Sequence, residues 1–544
     1  MENFKKWGSL VVLGLALAII IIDTTLLNVS LSTIIREFHT NIQSIQWVIT
    51  AYSLVLAAFT ITGGRIGDLF GRKRMFMLGA VIFAVGSLVA SFSHSVGMLL
   101  IGESIIEGVG AALMMPATAS LLVANFHGKE RGIAFGVWGG IAGASSAVGP
   151  ILGGYLTNNF SWRWGFRINI FVVAILLLGS FLIKESHDTK EKPSLDIIGV
   201  VLSAIGLLGV IFGVIESSSY GWLKASHAFT VFGQTFVKGG PSFVPFSIII
   251  GIIFLLLFFI WEKKVEGRGD TPLVSMGIFR NKVFSAGVMT TAIVSLGQVG
   301  LIFALPVFLQ SVLKLDAFQT GMALLPLSIA LLIMAPLSGF LSHKVSPKYL
   351  IITGLLIDIL AMFIIRNSIS IWATTSDLML GLALYGAGMG LVMAQISNLT
   401  LSSVPVHQAG EASGVNNTFR QVGSTLGSAI VGAVLIASLS ANLVKGINDD
   451  LLIPQVAKPA IIKAVSEQAS NVEFGGGAKI SSDVPKVITD QITAISKKAT
   501  VQSARESLLY AALFGFLGLF AAAFLPNKHA ESKAPRENTP SAGH

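Results

Sequence analysis

Not one cysteine occurs among the 544 residues, which excludes a disulfide framework, thiolate chemistry and cysteine-held metal while leaving the compartment open. Charge is scarce too: Asp, Glu, Lys and Arg supply only 12% of the chain, about half the share of an ordinary soluble domain. No G-x-x-x-x-G-K-[ST] string is present, so neither a phosphate-cradling loop nor ATP as energy source is expected. The glycine runs at Gly108 and Gly386 lie within apolar stretches and read as packing features rather than dinucleotide sites. Histidines such as His94, His127 and His187 are scattered between such stretches. No metal site, no cofactor and no enzyme activity are expected. A net charge of +9 would suggest a polyanion, but the basic residues cluster in short loops between apolar runs. That pattern reports membrane orientation, not nucleic acid.

What the chain does have is apolar length. Hydrophobic residues make up 53% of it, and 57 glycines are spread through the apolar runs, as where helices approach closely in lipid. Fourteen stretches are long enough to cross the roughly 30 Å of bilayer hydrocarbon. They begin near Trp7, Trp47, Met75, Gly97, Gly132, Phe166, Ile197, Phe243, Phe284, Thr320, Tyr349, Asp377, Ala412 and Leu508. The reading is an all-α, multi-pass membrane protein. The first run is too long for a signal-peptide core and lacks a small-residue cleavage site, so it is expected to stay. With the loop holding Arg72, Lys73 and Arg74 on the cytoplasmic side, that side collects sixteen Lys and Arg, against seven in the short loops opposite. The excess of positive charge inside places both termini in the cytoplasm and the chain in the plasma (inner) membrane.

The chain also repeats itself. GVGAALMM from Gly108 is echoed by GAGMGLVM from Gly386, an offset of 278 (386 minus 108). GRIGDLFGRK from Gly64 has a decayed partner in GFLSHKVSPK from Gly339, an offset of 275 (339 minus 64). Two six-helix halves are the simplest account, residues 1–190 and 266–525, with two inserted linker helices in 191–265 and a tail in 526–544. Parallel halves of this kind are a transporter architecture. Within the second half, 441–505 is polar and reads as an extracytoplasmic loop, a small lid or disorder, with amphipathic helical patterns around Pro459 to Ser470 and Val484 to Lys498.

GRIGDLFGRK resembles the signature loop of the major facilitator superfamily, with Gly64, Asp68, Gly71, Arg72 and Lys73 in register. SAVGPILGG, holding Gly149, Pro150, Gly153 and Gly154, is similar to the fifth-helix motif of that superfamily's exporters. IDTTLLNVS in the first helix and WRWGFRIN from Trp162 resemble the fourteen-helix drug:proton antiporters. The resemblance implies a major facilitator fold and proton-driven efflux of lipophilic, commonly cationic, drugs by alternating access. It also implies that Asp68 latches the halves near Arg131 and the start of the thirteenth helix, and that the fifth-helix glycines and Pro150 form a tightly packed hinge. One position departs: the family's fourth-helix arginine is Ser104 here, and Glu107 with Glu103 stands nearby.

Asp23 is the sole acid in the run Trp7 to Leu31. A carboxyl placed where lipid is expected is costly and becomes a functional candidate. By helix rise it lies about 12 Å from the outer end, Glu103 about 9 Å and Glu107 about 15 Å. Glu103 and Glu107, four residues apart, share a helix face. If the first and fourth helices line the central cavity, as the resemblance implies, the three acids converge there as the proton and cation site. Burial and mutual repulsion favour the protonated form of such groups, so protons are the expected coupling ion. Asn28 and Asn169 are cavity ligands or interhelical hydrogen-bonding groups. Arg420, with Gln421, either pairs with a carboxyl or packs. The expected partners are a small lipophilic or cationic substrate and the lipid bilayer, with a monomer plausible. Two rivals stand beside this reading: a lipid or amphiphile exporter of the same fold, and a non-transporting membrane sensor or scaffold.

Overall fold

A computed structural model of the chain describes residues 2–40, 42–186, 194–225, 229–231, 234–455, 457–462 and 486–527. Most of the expected tail, the middle of the 441–505 segment and the boundary at 190 lie outside these. Among the described residues, thirteen helices are long and apolar enough to cross a membrane, and Leu325–Leu341 is a shorter apolar one. Together they account for the fourteen expected.

In the first half the helices are α1 (Glu2–Glu37), α2 (Ile42–Phe70), α3 (Arg72–Ser91), α4 (Val96–Asn125), α5 (Gly128–Asn159) and α6 (Arg163–Gly179). The inserted pair is α7 (Ile197–Tyr220) and α8 (Val244–Gly267). Between them lies a small hairpin, Phe229–Val231 with Gln234–Phe236, antiparallel with Phe229 opposite Phe236, which the helical reading does not anticipate. The second half holds α9 (Lys282–Ser311), α10 (Leu325–Leu341), α11 (Pro347–Ser368), α12 (Thr375–Ser402), α13 (Ala409–Asp449) and α14 (Lys486–Ala523). Starts are fixed locally: the Asp196 carboxylate accepts from Gly199 N at 3.0 Å to cap α7, and Asn281 Oδ1 accepts from Val283 N at 3.0 Å to cap α9. At Gly71 a φ of 106° turns the chain from α2 into α3, a conformation other residues rarely adopt.

The repeat is visible in packing. A Cβ at Gly79 of α3 would stand 2.8 Å from Gly110 O of α4, and one at Gly354 of α11 would stand 2.8 Å from Gly388 O of α12. These pairs are offset by 275 (354 minus 79) and 278 (388 minus 110), as in the sequence. The halves meet along α2 with α13 and along α5 with α10, while α7 leans on both α2 and α13.

At 41 and 38 residues, α13 and α14 are each nearly twice what the bilayer core requires. The end of α13 and the start of α14 pair through Leu439, Leu443 and Ile447 against Ile492 and Ile495, with Ile453 between. So 441–449 and 486–505, read from sequence as loop, are continuous helix. The amphipathic period near Val484 to Lys498 is the buried seam of that pair, and the pattern near Pro459 to Ser470 is described only as far as 462.

Candidate functional site

The three acids do converge. Asn169 Nδ2 on α6 donates to Asp23 Oδ1 on α1 at 2.6 Å, and lies 3.1 Å from Ser87 Oγ on α3 and 3.4 Å from Glu107 Oε1 on α4. The Ser87 hydroxyl also donates to Glu107 Oε1. Glu103 Oε2 is 3.0 Å from Ser104 Oγ, which donates to Val48 O of α2 at 2.7 Å. The Asp23 and Glu107 carboxyls also hydrogen-bond one another directly, and among the described residues the Tyr52 hydroxyl has no hydrogen-bond partner. None of the three acids is more than 3% exposed.

Where they converge differs from the expectation. Their partners sit on α2, α3, α4 and α6, so the cluster is enclosed within the first half instead of facing the second. Two features turn the glutamates that way. Residues Leu100–Glu107 form a π-helical stretch inside α4, wider than the α-turn the spacing suggests and often found at functional sites. Opposite it, α3 offers Gly86, where a Cβ would stand 2.6 Å from both Glu107 Cγ and Gly102 O. Glycine lets α4 press its acids against α3.

A second constellation lies at the end of α2. Asp68 Oδ1 accepts from Gly410 N at 3.0 Å and from Arg72 Nε and Nη2 at 2.9 and 2.6 Å, and its Oδ2 accepts from Glu411 N at 2.7 Å. The two amides are free donors of the first turn of α13, where the helix dipole favours an anion. Arg72 also donates to Val406 O, across the two halves. Gly64 is needed for this approach, because a Cβ there would overlap the Gly410 carbonyl. Arg131 takes no part in the Asp68 contact. Its guanidinium reaches back to Phe126 O and Val123 O at 2.8 and 2.9 Å, closing the end of α4, and its Nη1 meets Ser402 Oγ of α12 at 3.1 Å. It is a separate tie between the halves. Lys73 contributes its backbone: the N–H groups of Lys73 and Arg74 donate to the Glu185 carboxylate at 3.0 and 3.2 Å.

Two acids that sequence reading passed over extend this region. Glu411 Oε1 accepts from Ser275 N at 2.5 Å and its Oε2 lies 3.8 Å from Arg65 Nη1. Glu262 Oε2, on inserted α8, accepts from Val274 N at 3.2 Å. Both acids are fully buried. Consecutive residues of the segment leading to α9, Val274 and Ser275, are thus pinned by the inserted pair and by the helix that receives Asp68. The signal was available: an acid inside the small-residue run AGEASGV is as anomalous as one in an apolar run. Glu411→Ala is expected to destabilise the protein by about 3 kcal/mol, since it strands Arg65 and two donors. Glu262→Ala should cost less, because Glu262 Oε1 has no partner. Thermal unfolding of the two purified variants in one detergent checks the order.

The Major Facilitator Superfamily profile matches residues 13–428, more than half of the chain. The chain belongs to the major facilitator superfamily. It is 29% identical over 442 residues to multidrug resistance protein Stp of Mycobacterium tuberculosis, covering 81% of this chain and 78% of that one. It is 30% identical over 445 residues to puromycin resistance protein pur8 of Streptomyces alboniger, covering 81% and 84%. The solved proton:xylose symporter XylE shares the fold at a TM-score of 0.57 and 13% identity, over 97% of each chain. As a facilitator the protein is a multi-pass membrane transporter whose relatives carry multidrug and antibiotic resistance.

The remaining expected residues of this facilitator fall as follows. In α5, Gly153 packs on Leu26 of α1, with a hypothetical Cβ at 3.1 Å, and Gly149 faces Thr25 of the same helix. Gly154 turns to Phe318 in the short helix Ala317–Ala323, and Pro150 lies against Gly321 there. The motif therefore seats α5 on α1 and on the second half at once. Arg420 approaches Met115 Sδ at 3.7 Å and meets no acid. The Asn28 side chain lies outside what is described. Among the described residues no cluster suits a metal ion.

WRWGFRIN has a physical account as well. Trp162 Nε1 and Arg163 Nη1 donate to Glu37 Oε2 and Oε1, both at 2.6 Å, at the outer end of α1. Partial burial works against the charged form, but these hydrogen bonds and the Arg163 charge outweigh it and hold the Glu37 carboxyl below its usual range. The tie is thus present above the ordinary glutamate range and weakens as pH falls through the lowered value. One motif holds α1 at its end through Arg163 and at its centre through Asn169.

Proposed function

We propose that this facilitator is a proton-coupled exporter of lipophilic compounds, working by alternating access, with Asp23, Glu103 and Glu107 as its proton site. The observation that carries this is the proton count of the enclosed cluster. Ser104 has one hydroxyl proton and two acceptors in reach, Val48 O and Glu103 Oε2. If it donates to the carbonyl, the glutamate must donate to it, and to do so must hold a proton. Asn169 Nδ2 has two protons and three acceptors in reach, and like charges this close do not all ionise together. Removing or adding a proton therefore rearranges contacts among α1, α3, α4 and α6, the elements of one rocking half. Efflux as the direction is supported by the resistance and export names of the relatives. A cationic substrate loses its geometric basis, since the acids that suggested one are enclosed.

The Asp68 site then serves as the latch of the cytoplasmically closed state, with both termini cytoplasmic, and the Gly149 to Gly154 motif as the hinge. The test is accumulation of a fluorescent lipophilic compound inside everted vesicles, the counterpart of efflux from the cell, energised by a pH gradient. Glu107→Gln should cut the gradient-driven rate by about tenfold or more, an effect near 1.4 kcal/mol. Glu103→Gln should cut it less, because the hydrogen-bond partner of Glu103 is Ser104, while Glu107 meets Asp23 both directly and through Asn169. Gradient-dependent transport absent in the wild type would overturn the reading and favour the sensor or lipid-exporter alternatives.

A further inference from the structure

Inside the span of α13 stands a cation with no acid beside it. Arg420 is eleven residues (420 minus 409) past the start of the helix, about 16 Å along its axis. It reaches across to α4 of the other half, where Nη2 lies 3.7 Å from Met115 Sδ. The ion pairs among the described residues are Lys6–Glu130, Arg65–Glu411, Arg72–Asp68 and Arg163–Glu37, and none involves Arg420. The polar neighbours on its own helix are neutral and engaged: Asn416 Oδ1 accepts from Thr291 at 3.2 Å and Asn417 Nδ2 lies 3.4 Å from Ser413 Oγ. The three acids of the first half are committed to Asn169, Ser87 and Ser104.

A guanidinium stays ionised at any physiological pH and carries five donors, while a thioether is a weak acceptor. Leaving such a charge unpaired at membrane depth is costly even on the lenient insertion scale. The side chain is nevertheless not sealed. The residue as a whole is half-buried, with its guanidinium deep in the seam between α13 and α4, so a counter-charge has to enter between the two halves.

We propose that Arg420 receives the acidic group of the transported compound, a carboxylate or ionised phenol or enol on a lipophilic ring system, with Met115 as a deformable apolar wall beside it. This rests on the efflux reading and names its substrate class. The planar fork of arginine matches a carboxylate through two parallel N–H bonds, and methionine adapts its shape to varied rings. Because Arg420 and Met115 belong to different halves, a compound bound between them bridges the surfaces that must part. Protons and substrate then occupy different places, the acids for one and the arginine for the other.

The test uses three fluorescent probes with one aromatic ring system, bearing a carboxylate, its methyl ester or a primary amine, and wild-type protein in proteoliposomes with a pH gradient. The expected result is an apparent KM for the carboxylate about tenfold or more below that for the ester, the scale of one charge-assisted contact. Arg420→Gln should shrink that preference to below about threefold, and Arg420→Lys, which keeps the charge without the fork, should fall between. In parallel, the carboxylate should raise the Tm of detergent-purified wild type more than the ester does, which needs no variant to fold. Transport of all three probes alike, or an acid preference undiminished in Arg420→Gln, overturns the anion assignment and leaves the efflux reading standing. Movement of no probe sinks the efflux reading, and the Tm comparison then decides the assignment alone: equal shifts for acid and ester reject it.

Discussion

Asp23→Asn is expected to reduce gradient-driven efflux to background, the largest loss of any single substitution in the acid cluster. Asparagine nearly matches aspartate in shape, and its side-chain carbonyl can still accept the Asn169 amide that now sits 2.6 Å from Asp23 Oδ1. The packing of α1 against α6 should survive, so what is lost is the ability to take up and release a proton. The direct hydrogen bond between the Asp23 and Glu107 carboxyls makes the point sharper, because it needs a proton on one of them, whereas the amide of the variant supplies a fixed N–H₂. Measured in everted vesicles, the variant should reach the membrane at wild-type levels and fail to respond to an imposed pH gradient. Efflux that still follows the gradient would remove Asp23 from the coupling site.

Asp68→Asn should open the cytoplasmic face. The carboxylate satisfies two first-turn amides of α13 and balances Arg72, which is only 1% exposed. Removing one partner of a buried pair typically costs about 3–5 kcal/mol because the other charge is stranded. A shift of that size changes the ratio of closed to open forms by roughly two to nearly four powers of ten. The chain offers a clean readout, since it has no cysteine to label in the background. Ser413, fully buried on α13 two residues past Glu411, can be replaced by cysteine and probed from the cytoplasmic side with an impermeant maleimide. Labelling should be slow with Asp68 intact and fast with Asp68→Asn. Equal rates would mean that the contact does not hold the halves together.

The Asp68 turn was readable through the resemblance of GRIGDLFGRK to the superfamily's signature loop, while the pairing of Asp68 with Arg72 depends on the Gly71 turn between two helices. The three acids were readable for the opposite reason, as residues that do not suit their surroundings. What they face was not readable. Helical periodicity assumes 3.6 residues per turn, and a π-stretch leaves no mark in the pattern while redirecting every side chain beyond it. Arg131 was expected beside Asp68 and instead reaches the carbonyls of Phe126 and Val123, since a long flexible side chain finds partners that no spacing rule reveals. The outer extensions of α13 and α14 were hidden by composition. Their buried seam is one residue wide per turn, and polar neighbours on every other side made the segment resemble a loop.

The π-stretch in α4 also makes the length of that helix unusually sensitive. Deleting a single residue between Leu100 and Glu107 would let the ladder relax into a plain α-helix without breaking it. Each residue subtends about 100° around the axis, so the part of α4 on the far side of the deletion would be rotated by that angle relative to Gly108 and beyond. A deletion between Ser104 and Glu107 would swing Glu103 and Ser104 together away from Val48, toward the sector that Ile101 and Ile105 now present to their surroundings at 51% and 44% exposure. The loss of one codon, ordinarily harmless or ruinous to a helix as a whole, would here act as a rotary switch. It would leave the span intact and dismantle one carboxyl of the cluster.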